Sequence, residues 1–459
     1  MQQKSIEIIK NGGDKTLRKY ILKSGAATVD ITPKKSMFLF GYPHMERYSE
    51  GTHDPIYASA LVLDNGNTQI VFCVADIIFI GKDQAEEVRK LVNQKTGIPK
   101  ENIVISASHT HSGPLTVNMA SNKNDPAVPS ASNEYTKFLI NTLSNLINKA
   151  YCRRIESELA ILTISGEGVG GNRRIKGGIT DPEVPVIVVR RKKDKEIFAV
   201  STTYCMHPTV LHEDSKLYSA DFPGYTREYI LKKLGKNIVY LYHTGPEGNQ
   251  SPRHFIKGTT FDEAKRLGYM LGERIVKSIS GLTDIDFKSS VSLKASVSRI
   301  TLPLKQFPSV KEADRKLKKA LQKLEQLKKK NASYAEIRTA ECDWFGAEET
   351  TTIANLAAND ELKEITKTIL PAEIQVFEIN DNYFVNIPGE YFVEYSLSIK
   401  EKSPYKTFVT CLANGELQGY IVTKEAYIEG GYEASNSLFS TEAGDVIIKE
   451  TIKLIKNRT

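Results

Sequence analysis

Residues 57–97 read YASALVLDNGNTQIVFCVADIIFIGKDQAEEVRKLVNQKTG. Two apolar runs, 57–63 and 69–80, flank Asn65-Gly66, a pair that tolerates the backbone of a tight strand-to-strand turn. From 83 to 94 the apolar period changes to three and four residues, and Gly97 stands where a helix would close. Strand, turn, strand and helix in quick succession set an α/β pattern. Working outward, the same alternation continues with a strand at 103–106, a helix at 133–152 and a strand pair at 184–189 and 198–204. A helix at 225–234, a strand at 238–242 and a helix at 262–279 follow. The fold class expected is α/β, with mixed β-sheets and packed helices.

Beyond residue 287 strand alternation returns to about 304. Ser309 and Glu312 then have the spacing of a capping box. Val310, Ala313, Leu317, Ala320, Leu321, Leu324 and Leu327 share one helical face, with lysines on the other. A second helical stretch over 334–362 completes a hairpin at 308–362 that carries Trp344 and reads as an insertion, either a packing element or a lid or dimerisation arm. Strands are expected at 373–379 and 383–386, a helix after Glu390 and a closing helix at 441–456. Residues 1–24 read as an N-terminal extension and 25–459 as one unit around that hairpin.

With 40% hydrophobic and 25% charged residues over 459 positions, the composition is that of a globular protein with a large core, and it argues against disorder or a fibrous repeat. The net charge of +7 is dispersed over lysine-rich helices, so a solvated basic surface is expected and no nucleic-acid partner. The densest cluster, Arg190 to Lys195, lies between two strands and reads as a hairpin tip. Five widely spaced cysteines without a C-x-x-C pair suit buried free thiols better than a disulfide framework. No apolar run is long enough to span a bilayer. The N-terminus shows no apolar leader, which as written favours a cytoplasmic location, or secretion if a native leader had been removed.

The eight histidines are unevenly placed. The strand 103–106 runs into Ser108-His109-Thr110-His111-Ser112-Gly113-Pro114. If the chain stays extended there, both imidazoles fall on one face at a strand end. Two such histidines can bind one metal, or one can bind while the other serves as acid or base. A second strand empties into Cys205-Met206-His207-Pro208. A third ends at His243-Thr244-Gly245-Pro246-Glu247-Gly248-Asn249-Gln250-Ser251-Pro252. Sites in α/β sheets gather where strand ends feed loops.

Taken in order, several blocks resemble the neutral/alkaline non-lysosomal ceramidase family. They are Gly25 through Asp30-Ile31-Thr32-Pro33 with Gly41-Tyr42, His53-Asp54-Pro55, and Ser106 through Pro114. Asn172-Arg173, His207, Gly248 through Pro252, Pro388-Gly389-Glu390, Tyr420-Ile421-Val422-Thr423 and Tyr432-Glu433-Ala434-Ser435 continue the order. The resemblance runs from about Gly25 to Phe439. It implies a single catalytic zinc ion held by His109, His207, Glu390 and Tyr420, with His111, Arg173, Ser251 and Tyr432 lining the reacting centre. It also implies hydrolysis of an N-acyl amide by zinc-activated water, on a ceramide-like lipid. Tyr420 is the weakest implied ligand, because a phenol ordinarily loses its proton near pH 10.

The chain departs from the family at Gly248-Asn249-Gln250-Ser251-Pro252-Arg253, where ceramidases usually have Asp-Val before the Ser-Pro and Asn after it. It also leaves no room for their C-terminal immunoglobulin-like domain. Both departures bear on substrate more than on reaction. The alternatives are therefore a hydrolase of another N-acylated amine or amino sugar, and a non-catalytic lipid or glycan binder of the same fold. The roles of Ser251 as nucleophile or positioning group, and the oligomeric state, stay open at this stage.

Overall fold

The computed structural model describes residues 21–42 and 44–457. Of the N-terminal extension expected over 1–24, residues 1–20 lie outside the described residues; Lys23 already belongs to a strand.

Eight strands form the main sheet: β1 (Lys23–Asp30), β2 (Tyr57–Asp64), β3 (Gln69–Ala75), β4 (Ile103–Ala107), β5 (Ile155–Ser165), β6 (Glu183–Arg191), β7 (Ile197–Tyr204) and β8 (Val239–Thr244). Their spatial order is β8-β7-β6-β5-β1-β2-β3-β4. The pairs β7–β8 and β3–β4 are parallel and the rest antiparallel. A second sheet, β9 (Leu293–Ile300), β10 (Ala372–Ile379), β11 (Asn382–Asn386) and β12 (Lys406–Thr410), runs in that order, with β11 and β12 parallel.

The two sheets pack face to face. Phe72 of β3 meets Phe377 of β10 and Phe384 of β11 edge-on, at ring-centre distances of 5.3 and 5.8 Å. Helices cover the opposite face of the main sheet. Val71 and Cys73 pack with Val88 of α1 (Lys82–Thr96) and Leu143 of α2 (Asn133–Cys152). Val188, Val200 and Tyr240 pack with Phe222 of α3 (Asp221–Leu234) and Leu271 of α4 (Phe261–Ser280). Because both faces of β3 are covered, its sequence is a continuous apolar run instead of an alternation. The expected strand over 69–80 stops at Ala75, where Asp76 takes part in the turn by accepting the Tyr57 N–H at 2.9 Å. Gly97 does close α1, at φ 76°.

The expected hairpin is present as α5 (Val310–Lys329) and α6 (Tyr334–Ala358), followed by α7 (Glu361–Ile369). Ser309 with Glu312 and Ser333 with Glu336 form capping boxes at the two helix starts. The seven-residue apolar face of α5 is covered less than its pattern suggests: only Ala313 and Leu324 are buried. Its partner is the single helix α6, reached also through the ion pairs Lys323–Asp343 and Lys328–Glu341. A helix packed on one neighbour buries a narrow seam. The middle of α6 lies against the body of the protein, where Trp344 and Phe345 stack on His44 at 4.7 and 5.2 Å. Three of the five cysteines, Cys73, Cys205 and Cys411, are buried, and all five are free thiols. No helix among the described residues is long and apolar enough to cross a membrane.

The two edges of the main sheet are brought together by the segment after β12. Cys411 N donates to Thr244 O of β8 at 2.8 Å, and Asn414 N donates to Ile105 O of β4 at 2.7 Å. Asn414 Oδ1 in turn accepts the Ile105 N–H at 2.8 Å. A direct side-chain bond, Ser106 Oγ to His243 Nδ1 at 2.7 Å, spans the same gap. The ends of β4 and β8 therefore open into one region. Replacing Asn414 with Ala leaves a buried N–H without its acceptor, and the expected cost is about 1–3 kcal/mol in denaturant unfolding; a change below about 0.5 kcal/mol would show that this seam does not hold the sheet closed.

Candidate metal centre and active site

After β4 the chain continues along the segment that follows β3: Ser108 N donates to Ala75 O and His109 N to Ile77 O, both at 2.9 Å. His109 is not extended. It adopts the left-handed conformation, φ 70°, so the expected period-two alignment of the two histidines does not apply. The kink brings them together instead. Their Nε2 atoms are 3.4 Å apart and the rings stand nearly perpendicular. Close contact with Gly41 fixes the His111 ring, since a Cβ there would fall 2.3 Å from His111 Nδ1.

His207 follows the end of β7. Its N–H donates to Gln250 O at 3.2 Å, and its Nδ1 lies 2.8 Å from Glu247 O and 3.1 Å from Gln250 O. His109 Nδ1 lies 2.9 Å from Ile78 O. A carbonyl can only accept, so both Nδ1 atoms carry the hydrogen and both Nε2 atoms present a lone pair inward. There they meet Glu390, whose Oε2 is 3.4 Å from His109 Nε2 and 3.2 Å from His207 Nε2.

Glu390 begins a two-residue strand, Glu390–Tyr391, that pairs in parallel with Tyr420–Ile421. In that register Glu390 stands directly beside Tyr420. Both side chains line a small cavity together with His109, His111 and Tyr432. The structure thus brings the four implied ligands to one place, although they are far apart in the chain. Tyr432 opens the short helix Tyr432–Ser435, and its hydroxyl accepts from Asn436 Nδ2 at 3.3 Å.

Arg173 enters from the other side. Its Nη1 lies 3.5 Å from His207 Nε2, its Nε donates to Glu433 at 2.9 Å, and its guanidinium lies 5.4 Å from the Tyr420 ring centre. Glu433 also accepts from Arg174 at 2.8 Å. The glutamate of the Tyr432-Glu433-Ala434-Ser435 block therefore anchors both arginines, a role its sequence position alone did not disclose. Ser251 pairs with Gly171 across a two-residue ladder. Its Oγ accepts the Arg253 N–H at 3.2 Å, and among the described residues no histidine nitrogen contacts it. It sits one residue beyond the Gln250 carbonyl that holds His207. His243, which also ends a strand, faces Ser106 and belongs to the sheet seam.

Electrostatics follow from burial. His207 is pushed down to about 4, by burial first and then by Arg173, against the pull of Glu390. His111 is also held well below the usual histidine range, by burial and by the two neighbouring histidines. Burial works against the charged form of Glu390, but His109 and His207 outweigh it and hold the carboxyl well below its ordinary value. Burial drives the Tyr420 phenol well upward, with Glu390 adding to the effect. A neutral His207 imidazole beside an ionised carboxylate has the protonation states that a divalent cation requires of such ligands.

Two overlapping groups have their ligand atoms within 4.8 Å of one another: His109, His111 and His207, and His109, His207, Glu247 and Glu390. Glu247 was not singled out in the sequence, although it lies in the loop that follows β8. Glu349 of α6 was also not anticipated. It lines the same cavity, and burial raises its carboxyl to about 8. No pattern in the helix marks it. A larger cavity of about 610 Å3 adjoins this one, sharing Met119 and Asn122 and lined in part by Leu115, Val128 and Ile365.

The sequence model of the neutral/alkaline non-lysosomal ceramidase N-terminal domain matches residues 22–242, which include His109, His111, Arg173 and His207. Among solved structures, a crystal structure of neutral ceramidase from Pseudomonas aeruginosa is similar at a TM-score of 0.73 and 16% identity, over 95% of this chain and 74% of that one. A structure of a ceramidase complexed with C2 gives 0.72 and 16%, over 95% and 75%. At that identity the likeness is one of fold, and it extends past the matched segment to the elements that carry Glu390 and Tyr420. Residues 22–242 thus match the neutral/alkaline non-lysosomal ceramidase N-terminal domain, and the fold of the chain as a whole is similar to that of the solved ceramidases.

Proposed function

We propose that this protein is a metal-dependent amide hydrolase that cleaves an N-acyl amine of ceramide type. The observation that carries the reading is the convergence of His109 Nε2, His207 Nε2 and the Glu390 carboxylate in a buried pocket, with both imidazoles turned inward by main-chain carbonyls. That donor set fits zinc, with Tyr420 beside Glu390 as a fourth ligand. The ion supplies Lewis acidity toward the amide carbonyl and a nucleophile at neutral pH. Tyr420 is then deprotonated only under the influence of that charge, since burial alone opposes it.

The remaining groups divide the work by position. His111, neutral at pH 7 and 3.4 Å from His109, carries a proton to the leaving amine. Arg173 and Tyr432 hold the carbonyl oxygen or a substrate hydroxyl, Arg173 being kept in place by Glu433. Ser251 steadies the loop whose carbonyls orient His207 and positions the reactants there. The adjoining cavity of about 610 Å3, with its apolar flank at Leu115, Val128 and Ile365, suits the hydrocarbon part of an N-acyl substrate better than a compact amino sugar.

Replacing His109 or Glu390 with Ala is expected to abolish both metal retention and fatty-acid release from N-acylsphingosine, followed by elemental analysis and mass spectrometry. Full turnover without bound metal would end the proposal. His111→Gln is expected to keep the metal and lower kcat by about 10²–10⁴. Loss of the ion from that variant would instead make His111 a ligand, as the three-histidine group would allow.

A further inference from the structure

Glu247 is the most tightly enclosed carboxylate near the centre. Its relative exposure is 0%, and neither side-chain oxygen has a hydrogen-bond partner on another described residue. One of those oxygens lies within 4.8 Å of the ligand atoms of His109, His207 and Glu390. The loop is pinned so that the side chain stays there. Gly248 N donates to Tyr391 O at 2.8 Å, which ties the residue after Glu247 to the residue after Glu390. The Glu247 carbonyl meanwhile holds His207 Nδ1.

Two carboxylates facing each other in a dry pocket repel, and each alone is costly to bury. The cation nearest to them, Arg173, is already engaged by Glu433. A divalent ion would neutralise both carboxylates at once. We propose that Glu247 is a direct ligand of the same metal, so that the centre is built on two histidines and two glutamates, with Tyr420 as an additional donor. This rests on the reading of the pocket as a metal centre and deepens it. A second carboxylate raises the number of oxygen donors and shifts the site toward harder divalent ions than two histidines and one carboxylate would favour.

The test uses the full chain, stripped with chelator and titrated with Zn2+ and Co2+ by chelator competition, alongside Glu247→Gln. The variant is expected to bind at least about tenfold more weakly and to show an altered Co2+ visible spectrum. Its Tm is expected to gain less from saturating metal than that of the parent. Affinity within about twofold of the parent, with an equal gain in Tm from metal, would overturn the inference and leave Glu247 a structural acid. Should the variant not fold, a crystal structure of the metal-loaded parent decides. An Oε atom at about 2.0–2.2 Å from the ion supports ligation, and one beyond about 3 Å refutes it. Failure of the parent itself to bind any divalent ion would remove the metal centre as a whole, whereas a parent that binds beside an unaffected variant removes only the role of Glu247.

Discussion

Two main-chain carbonyls, Ile78 O and Glu247 O, decide what this pocket can do. Each accepts from the Nδ1 of a histidine and so fixes both tautomer and ring direction. With Nδ1 committed, His109 and His207 can offer only Nε2 to the interior, and both point at Glu390. Those carbonyls lie on loops that leave β3 and β8, strands at or next to opposite edges of the main sheet. The chemistry thus depends on the sheet being closed upon itself: the seam from Cys411 to Asn414 holds the two loops at a common distance.

Much of the fold was legible. The Asn65-Gly66 turn, the Gly97 cap and the Ser309–Glu312 box are local signals whose physics acts within a few residues, and each appears where its chemistry places it. The strands β1, β5 and β12 were not anticipated. The seam that follows β12 closes the sheet through a contact between residues more than 300 positions apart, Ile105 and Asn414, beyond the reach of any periodic pattern. The α5 face shows the opposite error. Its heptad-like pattern is strong, yet the number of neighbours, not the pattern, sets how much of it is buried.

The site was legible through motif order, less so through geometry. His109, His207, Glu390 and Tyr420 reach one pocket, but the reason given for the first histidine pair, an extended chain, is replaced by a left-handed residue at His109. Glu247, Glu349 and Glu433 were assigned no role, because a glutamate in a loop or helix looks like any solvated acid until burial is known. Of the three, Glu349 arrives on the inserted hairpin, so that insertion contributes to the wall of the cavity as well as packing beside it.

The late position of the closing seam also orders the protein's birth. Residues that reach both open edges of the eight-stranded sheet follow β12 in the chain, so β4 and β8 are made long before their shared partner exists. During that interval both strands present unsatisfied main-chain groups, the condition under which nascent sheets recruit neighbours or need shielding. Assembly of the pocket consequently waits for the segment after β12, and a chain that ended before Cys411 would carry both histidines without the seam that brings their loops together.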